Sequence, residues 1–416
     1  MSSAVPTTPM RVLIAGGGVA GVECLLGLHE LAGARVELTL LTDGRDLHYR
    51  PLAVGEPFGG RQARHYPLVD IAQSTGARLV RGRLDAVDVD ERRVRLLDGG
   101  RLSYDVLVVA LGAVPSLPYG RALALDVTTP KTLSHVRDQV RRGVASHVVI
   151  ALPRGPHWTL PGYELAVLLA RDTVPTGLSV TVTTSEAAPL ELFGPVVSSA
   201  VADELADAGV RLATGTDVEL SQGDPVTATL TATGEALDAD VVVALPELHA
   251  PTLHGLPTTA AGFLNVDAHG RVVGAQDVYA AGDCTDFPIK QGGLAAQQAD
   301  LVVEHVAARS GAPVVPGLLH PVLRARMLTG GQDLWLRRAL DDADDPGAVA
   351  THALWWPPDK IAGRWLAPFL AALNDTAAGA PHGAAHGRTL DAGIPPAPAV
   401  PVPRDLDLLG DPGRRA

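Results

Sequence analysis

Three glycines, Gly16, Gly18 and Gly21, stand between the apolar run Val12-Leu13-Ile14-Ala15 and a helix-forming stretch. In that context a G-x-G-x-x-G spacing binds phosphate through the backbone. Gly16 permits the tight turn, Gly18 lets the main chain approach a pyrophosphate, and Gly21 lets helix and sheet pack closely. The amides at the helix start then face the phosphate charge. A glycine turn without a ligand is the plainer reading, and the flanking strand and helix weigh against it. A dinucleotide also needs a partner for its ribose, about 20 residues beyond the loop. The next apolar run ends in Leu41-Thr42-Asp43, so Thr42 or Asp43 meets the hydroxyls. Asp43 serves equally well as the turn former of Asp43-Gly44.

A second signal lies far downstream. Asp277-Val278-Tyr279-Ala280-Ala281-Gly282-Asp283 reads as a short buried strand ending in a glycine and a carboxylate. A proline-containing loop and Ile289-Lys290-Gln291-Gly292-Gly293 follow, leading into a helical pattern. Taken with the glycine loop and with Tyr104-Asp105-Val106-Leu107-Val108-Val109-Ala110-Leu111-Gly112, the segment resembles the two-dinucleotide-fold flavoproteins of the pyridine nucleotide-disulfide oxidoreductase-like superfamily. The nearest groups are sulfide:quinone oxidoreductases, flavocytochrome c sulfide dehydrogenase flavoprotein subunits and type II NADH dehydrogenases. The resemblance covers about residues 10–310, in the right order.

That resemblance implies FAD as cofactor, with Asp283 on its ribityl chain or pyrophosphate. Ala110-Leu111-Gly112 stands where such families often have Ala-Thr-Gly. Lys290, Gln291 and Gly292 would set a helix start and a cation beside the pyrimidine edge of the flavin, where reduction accumulates negative charge. Taken singly, Asp283 is an ordinary Asx turn and Lys290 an ordinary surface lysine. Lysine is scarce, however: Lys131, Lys290 and Lys360 stand against 31 arginines. His48-Tyr49-Arg50-Pro51-Leu52 falls where relatives bring a proline segment past the flavin, which makes Arg50 or Pro51 a lining residue; a plain loop is the alternative. Glu164-Leu165-Ala166 keeps the glutamate of the Val-Glu-Leu-Ala pattern of type II NADH dehydrogenases. Glu164 is thus a candidate proton donor or acceptor near flavin N5, its pKa raised by burial, or else a glutamate favoured by a helix start.

Part of the family chemistry is missing. The sulfide oxidoreductases need redox-active cysteines beside the flavin, and near Trp158, where the resemblance would put one, there is none. An NAD(P)H-using relative would carry its second G-x-G-x-x-G in the same segment. Counting back from Gly162, the other two positions hold His157 and Thr159, whose side chains obstruct a pyrophosphate. Glu186 remains available as a ribose partner. No metal site is expected, because Cys24 and Cys284 are far apart and belong to no C-x-x-C pair or Cys/His cluster. Cys24 falls on the first helix as a packing residue, and covalent flavin attachment is not expected.

These residues demand an α/β framework: two Rossmann-like units, the first discontinuous, with a small α+β C-terminal domain. Strands are expected at 36–41, 94–97, 104–110, 147–152, 179–184, 241–245 and 278–281. Helices are expected at 163–171, 195–208 and about 293–308, with a hairpin at 323–338 and a helix at 360–373. The resulting division is 10–118, first part of the FAD domain; 119–252, a degenerate second unit; 253–317, second part of the FAD domain; and 318–375, a cap or interface domain. Leu354-Trp355-Trp356-Pro357-Pro358-Asp359-Lys360 begins the last helix. In relatives this segment closes over the flavin and can carry a quinone or membrane contact; core packing is the plainer role. Residues 376–416, rich in Ala, Pro and Gly with no aromatic residue, read as a disordered tail.

Composition agrees. A chain of 416 residues predicts two or three domains at roughly 150 residues each. A net charge of −12 excludes nucleic acid or an anionic membrane as main partner. No apolar run reaches the ~20 residues of a membrane span, and residues 1–10 lack a basic signal-peptide start, so a soluble cytoplasmic protein is expected. The function read from all this is an FAD-dependent oxidoreductase passing electrons from an unidentified donor to a quinone, a small organic molecule or a redox protein. The alternatives are an NAD(P)H dehydrogenase with an altered pocket and an FAD-binding sensor or assembly protein with little turnover. Oligomeric state is left open, a homodimer included.

Overall fold

The computed structural model describes residues 8–60, 63–120, 122–125, 130–155, 158–172, 177–223 and 226–377. It opens with a βαβ unit: β1 (Met10–Ala15), α1 (Val19–Ala32) and β2 (Val36–Thr42). The first sheet runs Val278–Ala280, Val106–Val109, β1, β2, Arg78–Arg81, with every pairing parallel. Both of its faces are covered. One packs on α1 and the helix Gly292–Arg309; the other packs on an antiparallel meander (Leu84–Asp88, Arg93–Leu96, Arg101–Ser103) and the loops around Leu256 and Leu264. Two-sided burial explains why Val106–Val109 is apolar at all four positions instead of alternating.

The second sheet repeats the plan. Its order is Leu123–Ala124, Val241–Ala244, His147–Leu152, Ser179–Thr184, Arg211–Ala213, again parallel throughout. A second meander, Val218–Leu220, Val226–Leu230 and Ala236–Ala239, precedes its last strand. The whole unit is inserted between two neighbouring strands of the first sheet. The outgoing strand Val114–Ser116 and the returning strand Glu247–His249 pair antiparallel where the chain crosses. The architecture is α/β with two Rossmann-like domains.

The third part is a three-stranded antiparallel sheet of Val322–Met327, Leu334–Ala339 and Ala348–Ala350, followed by the helix Leu366–Ala377. Alternation within Val322–Met327 sends Leu323, Ala325 and Met327 into the core of the second unit, which also takes Val54, Ile289 and Leu294 from the first. All three parts therefore share one packed core.

Two expectations shift. The last helix begins at Leu366, not at residue 360, because Pro357, Pro358 and Gly363 keep the chain irregular while Lys360 and Ile361 turn inward and are buried. It also runs into the segment read as tail, as far as Ala377; residues 378–416 lie outside the described residues. No described helix is long and apolar enough to cross a membrane.

The start of this last helix is capped by another helix. The Glu23 carboxylate, in the middle of α1 and fully buried, accepts from the amides of Trp365 (2.8 Å) and Leu366 (2.7 Å). Burial pushes the carboxyls of Glu23 and its hydrogen-bonded neighbour Asp300 both upward. Glu23→Ala should cost about 1–3 kcal/mol, read as a lower Tm, with proteolysis of the chain after Gly363 setting in before the rest unfolds.

Candidate functional site

The C-terminal ends of β1, Val106–Val109 and Val278–Ala280 lie side by side at one sheet edge. They bring Gly16, Ala110 and Gly282 together. Gly16 has φ +126°, and a Cβ there would lie 2.0 Å from the carbonyl oxygen of Ala110. A Cβ at Gly21 would lie 1.9 Å from the carbonyl oxygen of Gly16. Both positions therefore accept only glycine. Gly18 is different: its backbone (φ −84°) suits any residue, and a Cβ there would meet no atom within 4 Å. No side chain caps the start of α1. The loop thus presents bare helix amides to open space, as an anion site requires.

The neighbouring positions divide between support and exposure. The Thr42 hydroxyl accepts from the Gly44 amide (3.1 Å) and packs beneath Gly17, while Asp43 is exposed at the end of β2. Gly112 takes the left-handed φ of +71°. Gly282, at φ +82°, donates to Gln298 Oε1 (2.8 Å). The Asp283 carboxylate makes no side-chain hydrogen bond among the described residues. Burial raises its pKa, and the charges of Lys290 and Arg50 oppose that rise. Cys284 is buried with its Sγ 3.4 Å from the Val109 carbonyl oxygen, and burial pushes its thiol up to about 11.

Three residues expected at the cofactor do structural work. The Lys290 ammonium donates to the carbonyls of Thr285 and Phe287 (2.8 Å) and sits 3.9 Å from the centre of the Phe263 ring. Two of its three N–H donors thus clamp the 284–288 loop, and burial lowers its pKa to about 8. Gln291 caps the helix Gly292–Arg309 by accepting from Leu294 (2.9 Å) and donates to the Arg324 carbonyl (2.9 Å). Gly292 makes room for Ile361, whose Cδ1 a Cβ would approach to 2.8 Å.

Glu164 is not the helix-start glutamate of the plainer reading. It lies beyond the first turn of Leu160–Asp172, in the second unit. Fully buried, it accepts from the Leu328 amide (2.8 Å) and forms an ion pair with buried Lys360. Burial raises the Glu164 pKa and lowers that of Lys360, each opposed by the other's charge. The upward direction matches the sequence expectation; the partner was not foreseen. The scarcity of lysine was the one available signal for Lys360, since two of the chain's three lysines are buried. For Glu23 the signal was an acid within the otherwise apolar stretch from Val19 to Leu28. Arg50 and Pro51 begin the 3-10 segment Arg50–Phe58, which docks on the second unit through Val54.

The second unit's turn is filled. Gly162 keeps the packing role of a third fingerprint glycine, since a Cβ would lie 2.3 Å from Leu152 Cδ2. Ahead of it, however, Thr159 (3.3 Å) and Tyr163 (2.5 Å) donate to Glu186, which also takes Thr184 (3.3 Å). The expected ribose partner is therefore turned onto its own loop. His157 lies outside the described residues. A separate concavity of about 990 Å³, lined by Arg271, Asp277 and Arg309, sits at the opposite end of Val278–Ala280 from Asp283 and belongs to neither edge.

Two parallel dinucleotide-type sheets, the first split around the second and ending in an open glycine loop, define a two-domain flavoprotein oxidoreductase. The chain belongs to the pyridine nucleotide-disulphide oxidoreductase family, whose profile matches residues 10–300. It is 29% identical over 300 residues to an NADH dehydrogenase-like protein of Mycobacterium tuberculosis, covering 66% of this chain and 72% of that one. It is 30% identical over 247 residues to putidaredoxin reductase of Pseudomonas putida, covering 56% of this chain and 57% of that protein. Sulfide:quinone oxidoreductase of Aquifex aeolicus shares the fold, with a TM-score of 0.73 at 17% identity over 89% of this chain and 92% of that one.

Two variants separate ligand contact from backbone necessity. Gly18→Glu should fold with stability within about 0.5 kcal/mol of the parent yet bind no dinucleotide, read as chromophore content; Gly16→Ala should not be recovered folded. A third tests the filled turn. Burial, with the charge of Glu191, pushes Glu186 up to about 7 from 4.5. The folded state then binds the extra proton between those values, so stability falls as pH rises through that window. Glu186→Gln should lose less stability than the parent between pH 4.5 and 7, measured by urea melts across that range.

Proposed function

We propose that this chain holds FAD non-covalently along the C-terminal edge of its first sheet and passes electrons through it from a donor to a quinone, a small organic molecule or a redox-protein acceptor. The observation that carries the reading is the combination of open space before Gly18, an uncapped α1 and an Asp283 carboxylate that, among the described residues, faces the charges of Lys290 and Arg50 without a side-chain hydrogen bond. Bound flavin supplies two-electron uptake and release. Gly16, Gly18 and Gly21 shape the pyrophosphate seat, and the α1 amides neutralise its charge. Asp43, exposed where Thr42 is occupied, is the ribose partner. Asp283 holds the ribityl hydroxyls. Arg50 and Pro51 flank the ring, Ala110 and Gly112 bring backbone close to it, and Lys290 keeps the 284–288 loop in place.

Non-covalent binding is supported by Cys284, whose sulfur is buried against backbone carbonyls and protonated at neutral pH. The same protonation and burial speak against a thiolate route for sulfide. A second reading makes NADH or NADPH the donor. It is favoured by the relatives named for NADH dehydrogenase and putidaredoxin reductase, and opposed by the side chains filling the second turn.

Acid treatment of the purified protein should release a yellow chromophore with the properties of FAD. Anaerobic mixing with NADH, NADPH, sulfide and a reduced quinone, followed at the flavin absorbance, then ranks the donors. Reoxidation of the photoreduced flavin by added quinone, with no bleaching by nicotinamides, supports the first reading; rapid bleaching by a nicotinamide supports the second. A colourless protein that takes up no added FAD overturns both.

A further inference from the structure

The hairpin of Asp46–Tyr49 and Arg64–Pro67 lies just ahead of the flavin-flanking segment, and its outward face carries a cluster of a different kind. Antiparallel pairing sets His48 directly opposite His65. Strand alternation puts Asp46 on the same face as His48, because Leu47, Tyr49 and Tyr66 are drawn into the core from the other face. The hydrophobic pattern that fixes the register thus also fixes two imidazoles and a carboxylate side by side. One ligand atom from each of the three lies within 4.8 Å of the others. The two rings meet edge to face, with centres 4.5 Å apart.

We propose that Asp46, His48 and His65 form a binding site for a divalent transition metal of the zinc class. Two nitrogens and one carboxylate oxygen are the donor set such ions choose over magnesium or calcium, which take oxygen alone. Tetrahedral bonds of ~2.1 Å place ligand atoms ~3.4 Å apart, so the present spacing closes by side-chain rotation with no movement of the strands. Three protein ligands leave one coordination position open toward solvent. A recess of about 70 Å³ at this face is lined by His48, His65, Glu56, Arg50 and Arg64. The Arg50 guanidinium, whose charge acts on His48, favours an anionic fourth ligand, hydroxide or a small carboxylate, over neutral water. The ion would staple both strands from which Arg50–Phe58 departs, and so would fix the segment that docks on the second unit. This inference stands apart from the flavin reading, since none of its ligands belongs to the glycine-loop edge.

The test is calorimetric titration of chelator-stripped, full-length protein with zinc and with cobalt, alongside thermal melts with and without metal. Saturable binding of one zinc per chain is expected, with a concentration-dependent rise in Tm and a cobalt spectrum of low coordination number. His48→Ala and His65→Ala should each weaken binding at least about tenfold while leaving the metal-free Tm unchanged, since both side chains point outward; His135→Ala should change neither. Absence of saturable binding in the parent, or undiminished binding in the His48→Ala/His65→Ala double variant, overturns the proposal.

Discussion

No side chain fits between Gly16 and the carbonyl of Ala110. That close approach, with the equally tight one of Gly21 to Gly16, decides how α1 leaves the first sheet. Because α1 starts hard against the edge, its uncapped amides open onto the ends of three neighbouring parallel strands. The other parts of the edge are then set by ordinary backbone pairing: Gly16 to Leu41, Ala110 to Ala15, and Ala281 to Val109. Gly18 stays free of contact only because its neighbours in the loop absorb all the crowding. The open, uncapped helix start is therefore a by-product of packing, which is why it presents backbone and not charged side chains.

Around this edge the C-terminal part is held by two buried acids from different units. Glu23 of α1 receives the first amides of the last helix, and Glu164 of the second unit receives Lys360 and the Leu328 amide. A buried ion pair adds little net stability, since desolvation offsets the Coulomb attraction. Removing one partner nevertheless strands the other, at about 3–5 kcal/mol. Such contacts act as registry devices: the irregular stretch from Trp355 to Trp365 has one arrangement in which both acids are satisfied. Trp355, stacked edge-on to Trp335 at 4.8 Å and donating to the Asp359 carbonyl, fills the space beneath it. The core role of this tryptophan is thereby observed, while Trp356 remains exposed.

The two units share a topology and part company at one turn. Each has a parallel sheet with a meander inserted between two of its strands, and each keeps a glycine where helix must touch strand. In the first unit the space beyond that glycine is open. In the second it is occupied by Thr159 and Tyr163, whose hydroxyls are anchored by Glu186. A glutamate at the end of the second strand can point outward to a ribose or inward to its own loop, and the hydroxyls offered by the turn decide which. The same fold thus carries one turn left open and one filled by the protein's own side chains.

The linear order of residues was enough for the α/β class, the split first unit, and most strands and helices, because two-sided burial and the 3.6-residue repeat write themselves locally as apolar runs and glycine signals. It was also enough for the glycine loop itself, whose requirement for glycine at positions 16 and 21 is a matter of backbone contact. It did not reveal that Lys290 donates to two loop carbonyls, that Gln291 binds a helix amide and a strand carbonyl, that Glu164 is paired with a lysine 196 residues away, or that His48 faces His65 across a hairpin. Each of those facts depends on which long-range neighbour a polar side chain finds once the core has closed. A spacing in sequence names the chemistry a residue is able to do; only the packed chain determines whether its donors and acceptors are still free to do it.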